Sequence, residues 1–343
     1  MSISIKKVPV EEAVGMVLCH DITQIIPGKF KGRIFKKGHI IRKEDIETLL
    51  KLGKEQVFVW EPQKGIIHED EAAIRIAKAV AGDNITYEEP REGKSILKAT
   101  KKGLLKINSS LLFEINSIKD VSIATLPQNF ILEEGQSFGG IRIIPLLTAE
   151  DNLREVEDLC QKRGKVFGVK EYRRLKTALI VTGNEVFKKR IKDKFTSVIR
   201  KKLKYFPTKF LGRVFCPDNK EEIKKAILYF QQQGADLLIL TGGMSVDPDD
   251  LTPGAIIESG AKVITYGIPV QPGNMFMFAS LKDMTLLGIP GCVIYYRTTI
   301  LEVILPRIFI GDRLTKRDFL KMGEGGFCLT CKVCHYPNCF FCR

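Results

Sequence analysis

Residues 237–256 read LLILTGGMSVDPDDLTPGAI. Four apolar residues, Leu237 to Leu240, run into Thr241 and the pair Gly242–Gly243, and Asp247, Asp249 and Asp250 follow within four positions. A short uninterrupted apolar run bounded by glycine is the pattern of a strand buried on both faces. Glycine lets backbone amides approach a bound group closely, so a TGG turn leading toward a helix start is suited to hold an anion such as phosphate. The carboxylates would repel that anion unless a divalent cation stood between them. The stretch therefore points to a magnesium-bridged phosphate. Asp250 and Asp247 are its candidate metal ligands, and Asp250, Asp249 and Asp247 its candidate catalytic residues. The competing reading makes Asp247 or Asp249 the cap of a helix that begins near Pro253.

Working outward, the same pattern recurs. TALIVTG, from Thr177, is an apolar strand; KDKFTSVIRKKLKYF, from Lys192, is helical; TKFLGRVFC, from Thr208, is extended. DNKEEIKKAILYFQQQG reads as a helix capped by Asp218 with Glu221, and ADLLILTGG follows it. Alternation of strand and helix implies a parallel sheet with helices on both faces. AKVITYG and DMTLLGIPG are further strands that bracket MFMFAS, and CVIYYRTTILEVILPRIFIG closes the region as a helix. In an open parallel sheet ligands bind beyond the carboxyl ends of the strands. Three loops fall there: Thr182–Gly183–Asn184–Glu185, the Thr241 loop, and Gly288–Ile289–Pro290–Gly291.

The first 173 residues are less regular. Residues 1–64 mix short β-rich runs with one helix, RKEDIETLLKLG, stopped by Gly53. Residues 65–147 begin with a helix, EDEAAIRIAKAVAG, and continue as short strands around GLLKINSSLLFEINS, DVSIATLP and GGIRIIPLL. Residues 148–173 form a connecting helix, with Thr148 and Asp151 as a capping box and Gly164 as its stop. The expected class is α/β. A C-terminal domain at 174–318 carries a mostly parallel sheet flanked by helices, with smaller β-rich N-terminal modules and a Cys-rich tail at 319–343.

Composition narrows the function. With 343 residues and 44% hydrophobic content the chain has material for more than one core. Its N-terminus lacks a signal-peptide pattern and no apolar run reaches membrane-spanning length, so a cytoplasmic protein is expected. Fifty-four basic against 40 acidic residues give a net charge of +14, which favours anionic partners. The basic residues are spread along the chain without interleaved aromatics, which argues against nucleic acid.

Five of nine cysteines, Cys328, Cys331, Cys334, Cys339 and Cys342, crowd the last sixteen residues, with His335 beside Cys334. Two-residue gaps let neighbouring thiolates turn onto one centre, so a zinc ion or an iron–sulfur cluster is expected. The alternative is an unliganded, redox-active tail.

TGNEV, TGGMSVDPDDLTP, GIPVQPGNMFMFA and LLGIPGCV stand in the order and approximate spacing of the molybdopterin-binding fold. That fold is shared by molybdopterin adenylyltransferases, gephyrin-like molybdopterin molybdotransferases and competence-damage-inducible proteins. The resemblance covers residues 174–312, and VPVEEAVGMVLCHDI with FKKGHIIRKEDIETLLKLG more faintly resembles the molybdotransferase N-terminal region. It implies that Gly242, Gly243 and Ser245 contact a pterin phosphate or bridging nucleotide and that Asp250 belongs to the cation and substrate site. Further candidate cofactor contacts, from the loops beyond the strand ends and the closing segment, are Thr182, Gly183, Asn184, Glu185, Thr241, Pro272, Gly273, Pro290, Gly291 and Arg297.

Arg297 is placed in the closing helix, where its guanidinium suits a molybdate or phosphate; a surface salt bridge is the other reading. The chain departs from the molybdotransferase pattern at Asn184, at Phe195, and at Gln271 and Asn274, which replace lysines. Lys188, Lys189, Arg190, Lys192 and Lys194 supply positive charge after the first glycine loop, or are simply solvated.

The implied function is molybdenum cofactor biosynthesis: binding molybdopterin or its adenylated form, inserting molybdate and releasing AMP, with magnesium as cofactor. Such a molybdotransferase is expected to form a homo-oligomer and to meet molybdoenzymes or other cofactor-assembly proteins. The alternatives are a non-catalytic carrier or sensor of the cofactor, and a nucleotide-pyrophosphate hydrolase.

Overall fold

A computed structural model describes residues 5–26, 30–60, 65–244 and 250–342. By packing, the chain divides into two units. Met1–Lys101, Lys106–Leu126 and Leu132–Val169 form one; Lys102–Leu105, Pro127–Ile131 and Lys170–Arg343 form the other. Among the described residues no helix is long and apolar enough to cross a membrane.

In the first unit the helix Asp45–Lys51 packs with the antiparallel strands Ile5–Pro9 and Gln56–Trp60 around Val10, Leu18, Ile41, Leu49 and Val57. Gly53 ends that helix at φ +72°. An antiparallel sheet follows in the order Ile85–Tyr87, Ser95–Ala99, Ser137–Ile143, Val121–Thr125. The helices Glu69–Val80 and Glu150–Arg163 are joined by a two-pronged Arg75–Glu157 pair at 2.9 and 2.8 Å.

Two expectations fail in this unit. GLLKINSSLLFEINS is not all strand: Ser109–Ser117 is a helix, because the Asn108 side chain accepts from the Leu111 N–H at 3.2 Å and Leu111 and Ile115, four apart, bury one face. Thr148 and Asp151 form no capping box. Thr148 lies in a short strand, its hydroxyl donates to Asp120 at 2.9 Å, and Ala149 occupies the cap position.

The second unit is built on six strands, labelled here with its helices: β1 Leu175–Thr182, α1 Asn184–Phe187, α2 Phe195–Leu203, β2 Thr208–Cys216, α3 Lys220–Gln232, β3 Leu237–Thr241, α4 Thr252–Glu258, β4 Lys262–Tyr266, β5 Met277–Leu281, β6 Met284–Ile289, α5 Ile300–Phe309 and α6 Lys316–Lys321. The sheet order is β2-β1-β3-β6-β5-β4. The first four strands are mutually parallel, while β5 runs antiparallel to both neighbours, so MFMFAS supplies a strand in its own right.

Alternation along the strands sorts the core onto two faces. Leu179, Val181, Leu237 and Ile239 pack with Ile199 of α2, Leu301 and Ile304 of α5 and Phe319 of α6. Ala178, Ile180, Leu238 and Leu240 pack with Ile223 and Ile227 of α3 and Ile256 of α4. Every residue of β3 is buried, as expected of a strand covered by helices on both sides. Each such aliphatic side chain contributes about 1.5–3 kcal/mol by leaving water.

Two local assignments change here as well. Asn219, not Asp218, caps α3, its side chain accepting from the Glu222 N–H at 3.1 Å. The closing helix begins only at Ile300, capped by Thr299 with Glu302 in a capping box; residues 291–294 form one 3-10 turn, and Arg297 precedes the helix.

Candidate functional site

The register of the strands places every glycine-bearing motif on one edge of the sheet. Cys216 lies opposite Thr182, Val181 opposite Thr241, and Thr241 opposite Ile289. Gly288 faces Met277, which faces Tyr266. The described segments that leave this row are 183–194, 217–219, 242–244 with 250–251, 267–276 and 290–299. Together they ring the carboxyl end of the parallel strands.

At the centre, three threonines join two of these segments. The Thr182 hydroxyl donates to the Thr241 carbonyl at 3.1 Å and lies 3.1 Å from the Thr252 hydroxyl, which donates to the Gly242 carbonyl at 2.9 Å. Gly242 and Gly243 take φ +90° and +55°, and a Cβ on Gly242 would lie 2.4 Å from the Thr182 carbonyl oxygen. Only glycine fits this approach. Thr241 is fully buried, and its hydroxyl has no hydrogen-bond partner among the described residues.

Met244 ends the described part of the loop. A Cβ on Gly288 would lie 2.5 Å from its Cε, and the Tyr266 hydroxyl donates to its carbonyl at 3.2 Å. The Tyr266 phenol is raised first by burial and then by the negative charge of Asp250. Asp250, half-buried, is therefore within electrostatic reach of this corner. Ser245, Asp247 and Asp249 lie outside the described residues.

Of the other sequence candidates, Gly183 opens α1, and the Asn184 N–H donates to the Asp218 carboxylate at 2.9 Å while the Asp218 N–H reaches the Asn184 side-chain oxygen at 3.4 Å. Asp218, assigned from the sequence to a helix cap, is thus a carboxylate beside the first glycine loop. Its signal was available: Cys216 ends a parallel strand, so Asp218 falls beyond a carboxyl end. Glu185 and Gly291 are exposed, Pro272 and Pro290 half-buried, and Gly273 buried. Gln271, Asn274 and the cations Lys188, Lys189, Arg190, Lys192 and Lys194 are exposed.

Gln271 also has a backbone role. Its N–H donates to the Gly326 carbonyl at 2.8 Å and its carbonyl accepts from the Cys328 N–H at 2.8 Å, which fastens the start of the Cys-rich tail. Arg297 and Thr298, with Cys328, Cys331, Cys334, Cys339 and His335, line a cavity of about 350 Å³. The Thr298 oxygen lies 3.0 Å from the Cys334 sulfur. Among the described residues no three ligating side chains converge as they would around a single metal ion.

In open α/β sheets ligands bind beyond the carboxyl ends of the strands, which is where the glycine turns of this sheet gather. Residues 178–309 match the family model described as a probable molybdopterin binding domain. Residues 7–61 match the model of a domain of unknown function.

The chain is similar to a molybdopterin molybdenumtransferase of Haemophilus influenzae, 31% identical over 147 residues, covering 41% of this chain and 36% of that protein. It is also similar to a molybdopterin molybdenumtransferase of Synechococcus elongatus, 28% identical over 128 residues, covering 34% of this chain and 32% of that protein. The chain spans about a third of the length of these two relatives. Among solved structures, the tungsten cofactor synthesizing protein MoaB from Pyrococcus furiosus matches with a TM-score of 0.34 at 20% identity, over 40% of this chain and 93% of that one.

Proposed function

We propose that the chain acts in molybdenum cofactor biosynthesis as a molybdopterin molybdotransferase. It binds adenylated molybdopterin across the carboxyl edge of the sheet, where water cleaves the pyrophosphate bond and releases AMP as molybdate joins the dithiolene. The observation that carries this reading is the Gly242–Gly243 turn, which leaves no room for a side chain against Thr182 and stands beside the buried Thr241 hydroxyl, which has no partner among the described residues. A buried hydroxyl without a partner costs about 1–3 kcal/mol, which a bound phosphate or an ordered water recovers.

Magnesium fits the donor set: it is held by one or two carboxylates together with substrate phosphates and water, and Asp250 is a half-buried carboxylate at this corner. Asp250, with Asp247 as its second carboxylate, would hold the ion, and the ion would polarise the phosphoryl group. The chain's own contribution is positioning. The glycine turn brings amides to the phosphate, the threonine cluster keeps β1 and β3 together beneath it, and Lys188 to Lys194 draw the anionic substrate in. A dimer whose partner completes the site belongs to the same reading.

A second reading, a carrier or sensor of the cofactor, is favoured by Gln271 and Asn274. Both are exposed and neutral, where lysines would neutralise phosphate or molybdate. Incubating the protein with adenylated molybdopterin, magnesium and molybdate separates the two. Release of AMP and reconstitution of an apo-molybdoenzyme are expected. Tight binding without AMP release would leave the carrier standing, and absence of binding would remove both.

A further inference from the structure

We propose that His68 is an acid-sensitive latch, which fastens the N-terminal segment to the helix Glu69–Val80 while its ring is neutral and frees the start of that helix when the ring gains a proton. His68 is 3% exposed and bonded at both ring nitrogens. Nδ1 accepts from the Asp70 N–H at 3.2 Å and so caps the helix, while Nε2 donates to the Cys19 carbonyl. A carbonyl oxygen only accepts and a backbone N–H only donates, so the ring proton sits on Nε2 and the Nδ1 lone pair is the cap. Cys19 is fixed in turn: its N–H and its thiol donate to the Phe58 carbonyl at 3.2 and 2.9 Å.

A second ring proton can enter only at Nδ1, where it meets an N–H instead of an acceptor. The Asp70 amide, one of the helix-start donors that have no intrahelical partner, is then left without its cap. The Asp70 carboxylate lies 4.0 Å from Nδ1, beyond hydrogen-bond reach, and 3.4 Å from the Lys37 ammonium. A ring that turns toward it withdraws Nε2 from Cys19. Protonation therefore weakens both holds of the latch together.

The charges around the ring set the sense of the response. Burial first lowers the His68 value; the bond to Cys19 raises it, Lys37 lowers it, Asp70 raises it and His20 lowers it. His20 is itself lowered, first by burial and then by Lys54. Glu69 is 6% exposed, and its carboxyl is raised by burial and by Asp70 against the pull of Arg142, 3.9 Å away, and of Lys37. Asp21 pairs with Arg33 at 2.8 Å, and the strand opposite His68 presents the apolar Leu147. The folded value of His68 lies below its unfolded one, so its stabilising contribution is full above the ordinary imidazole value of about 6.5 and is lost as pH falls through the lowered value.

The test follows the full chain from about pH 8 to about pH 5, the range in which imidazole charges. Long-range proton–nitrogen NMR reads the ring, with His68→Asn used to assign its signals. Amide hydrogen exchange, corrected for its intrinsic pH dependence, reads the first turn of the helix. At neutral pH the Nε2–H tautomer is expected. As His68 gains its second proton, exchange in the first turn should rise about five-fold or more, the size of a lost helix cap. His68→Asn does not titrate and its side-chain oxygen can take the cap, so its first turn should keep a constant corrected exchange rate over the series. An Nδ1–H tautomer, a ring that stays neutral until the chain unfolds, or unchanged exchange through its titration overturns the proposal. An equal acid response in His68→Asn overturns it as well. If circular dichroism shows that variant unfolded, His68→Gln replaces it.

Discussion

Gly242 is the residue at which backbone geometry and proposed chemistry meet. At φ +90° any other residue suffers the left-handed penalty of about 1–2 kcal/mol, and a Cβ would also press on the Thr182 carbonyl. Gly242→Ala is therefore expected to lower stability by more than about 1 kcal/mol in a denaturant titration and to abolish pterin binding. Wild-type stability and binding in that variant would show that the turn needs no glycine.

Asp250 offers a second test at this scale. Burial first, then the Asp250 charge, raises the Tyr266 phenol. Its folded value exceeds its unfolded one, so its contribution to stability is present below the ordinary phenol range and is lost as pH rises through the raised value. In Asp250→Asn the phenol should titrate lower than in wild type yet still above its ordinary value, because burial persists. An unchanged ultraviolet titration would place the Asp250 carboxylate away from this corner.

Among the elements, helix ends divided what was legible from what was not. The apolar spacing of α2, α3 and α5 was readable because a helix must bury one face. Caps were less so: Asp218 and Asn219 are adjacent candidates of nearly equal propensity, and the choice fell to Asn219 because Asp218 is held by the Asn184 amide of a loop 34 residues away. Thr148 was likewise drawn off by Asp120. The helix Ser109–Ser117 was hidden because LLFEINS serves a strand pattern as well as a helical one.

The helix α6 was not read from the sequence, and its cap sets the charge of Asp318. Burial tends to raise the Asp318 carboxyl, but hydrogen bonds from the Thr315 hydroxyl and N–H, together with Arg307, outweigh it and bring it down to about 2. Its folded value lies below its unfolded one, so this stability is present above the ordinary carboxylate range and is lost as pH falls from about 4 toward 2. Asp318→Asn should remove about 1 kcal/mol at neutral pH after solvent screening, and should flatten that part of the acid unfolding curve. Acid titration of denaturant midpoints measures both.

Across the whole chain, burial sorts the nine cysteines further than their spacing does. Burial pushes the Cys19 and Cys216 thiols up to about 11, while Cys331 is exposed. The thiolate is the reactive form, so brief alkylation of the native, metal-free protein at neutral pH should modify Cys331 first and leave Cys19 and Cys216 unmodified until unfolding. Peptide mass spectrometry reads the order. Labelling of Cys216 as fast as Cys331 would contradict the packing around β2 and α3.

Local pattern alone determined the alternation of strand and helix, the buried character of β3 and the order of the glycine loops, since each follows from side-chain period and from backbone freedom that neighbouring residues decide. Tertiary structure decided which motifs meet. Strand order brings Thr182, Thr241 and Thr252 together and turns MFMFAS into an antiparallel strand, and packing moves Arg297 out of a helix to the wall of a cavity lined by tail cysteines. These outcomes rest on contacts between residues tens of positions apart, whose geometry is set by packing of the sheet and its helices and leaves no periodic trace in the chain.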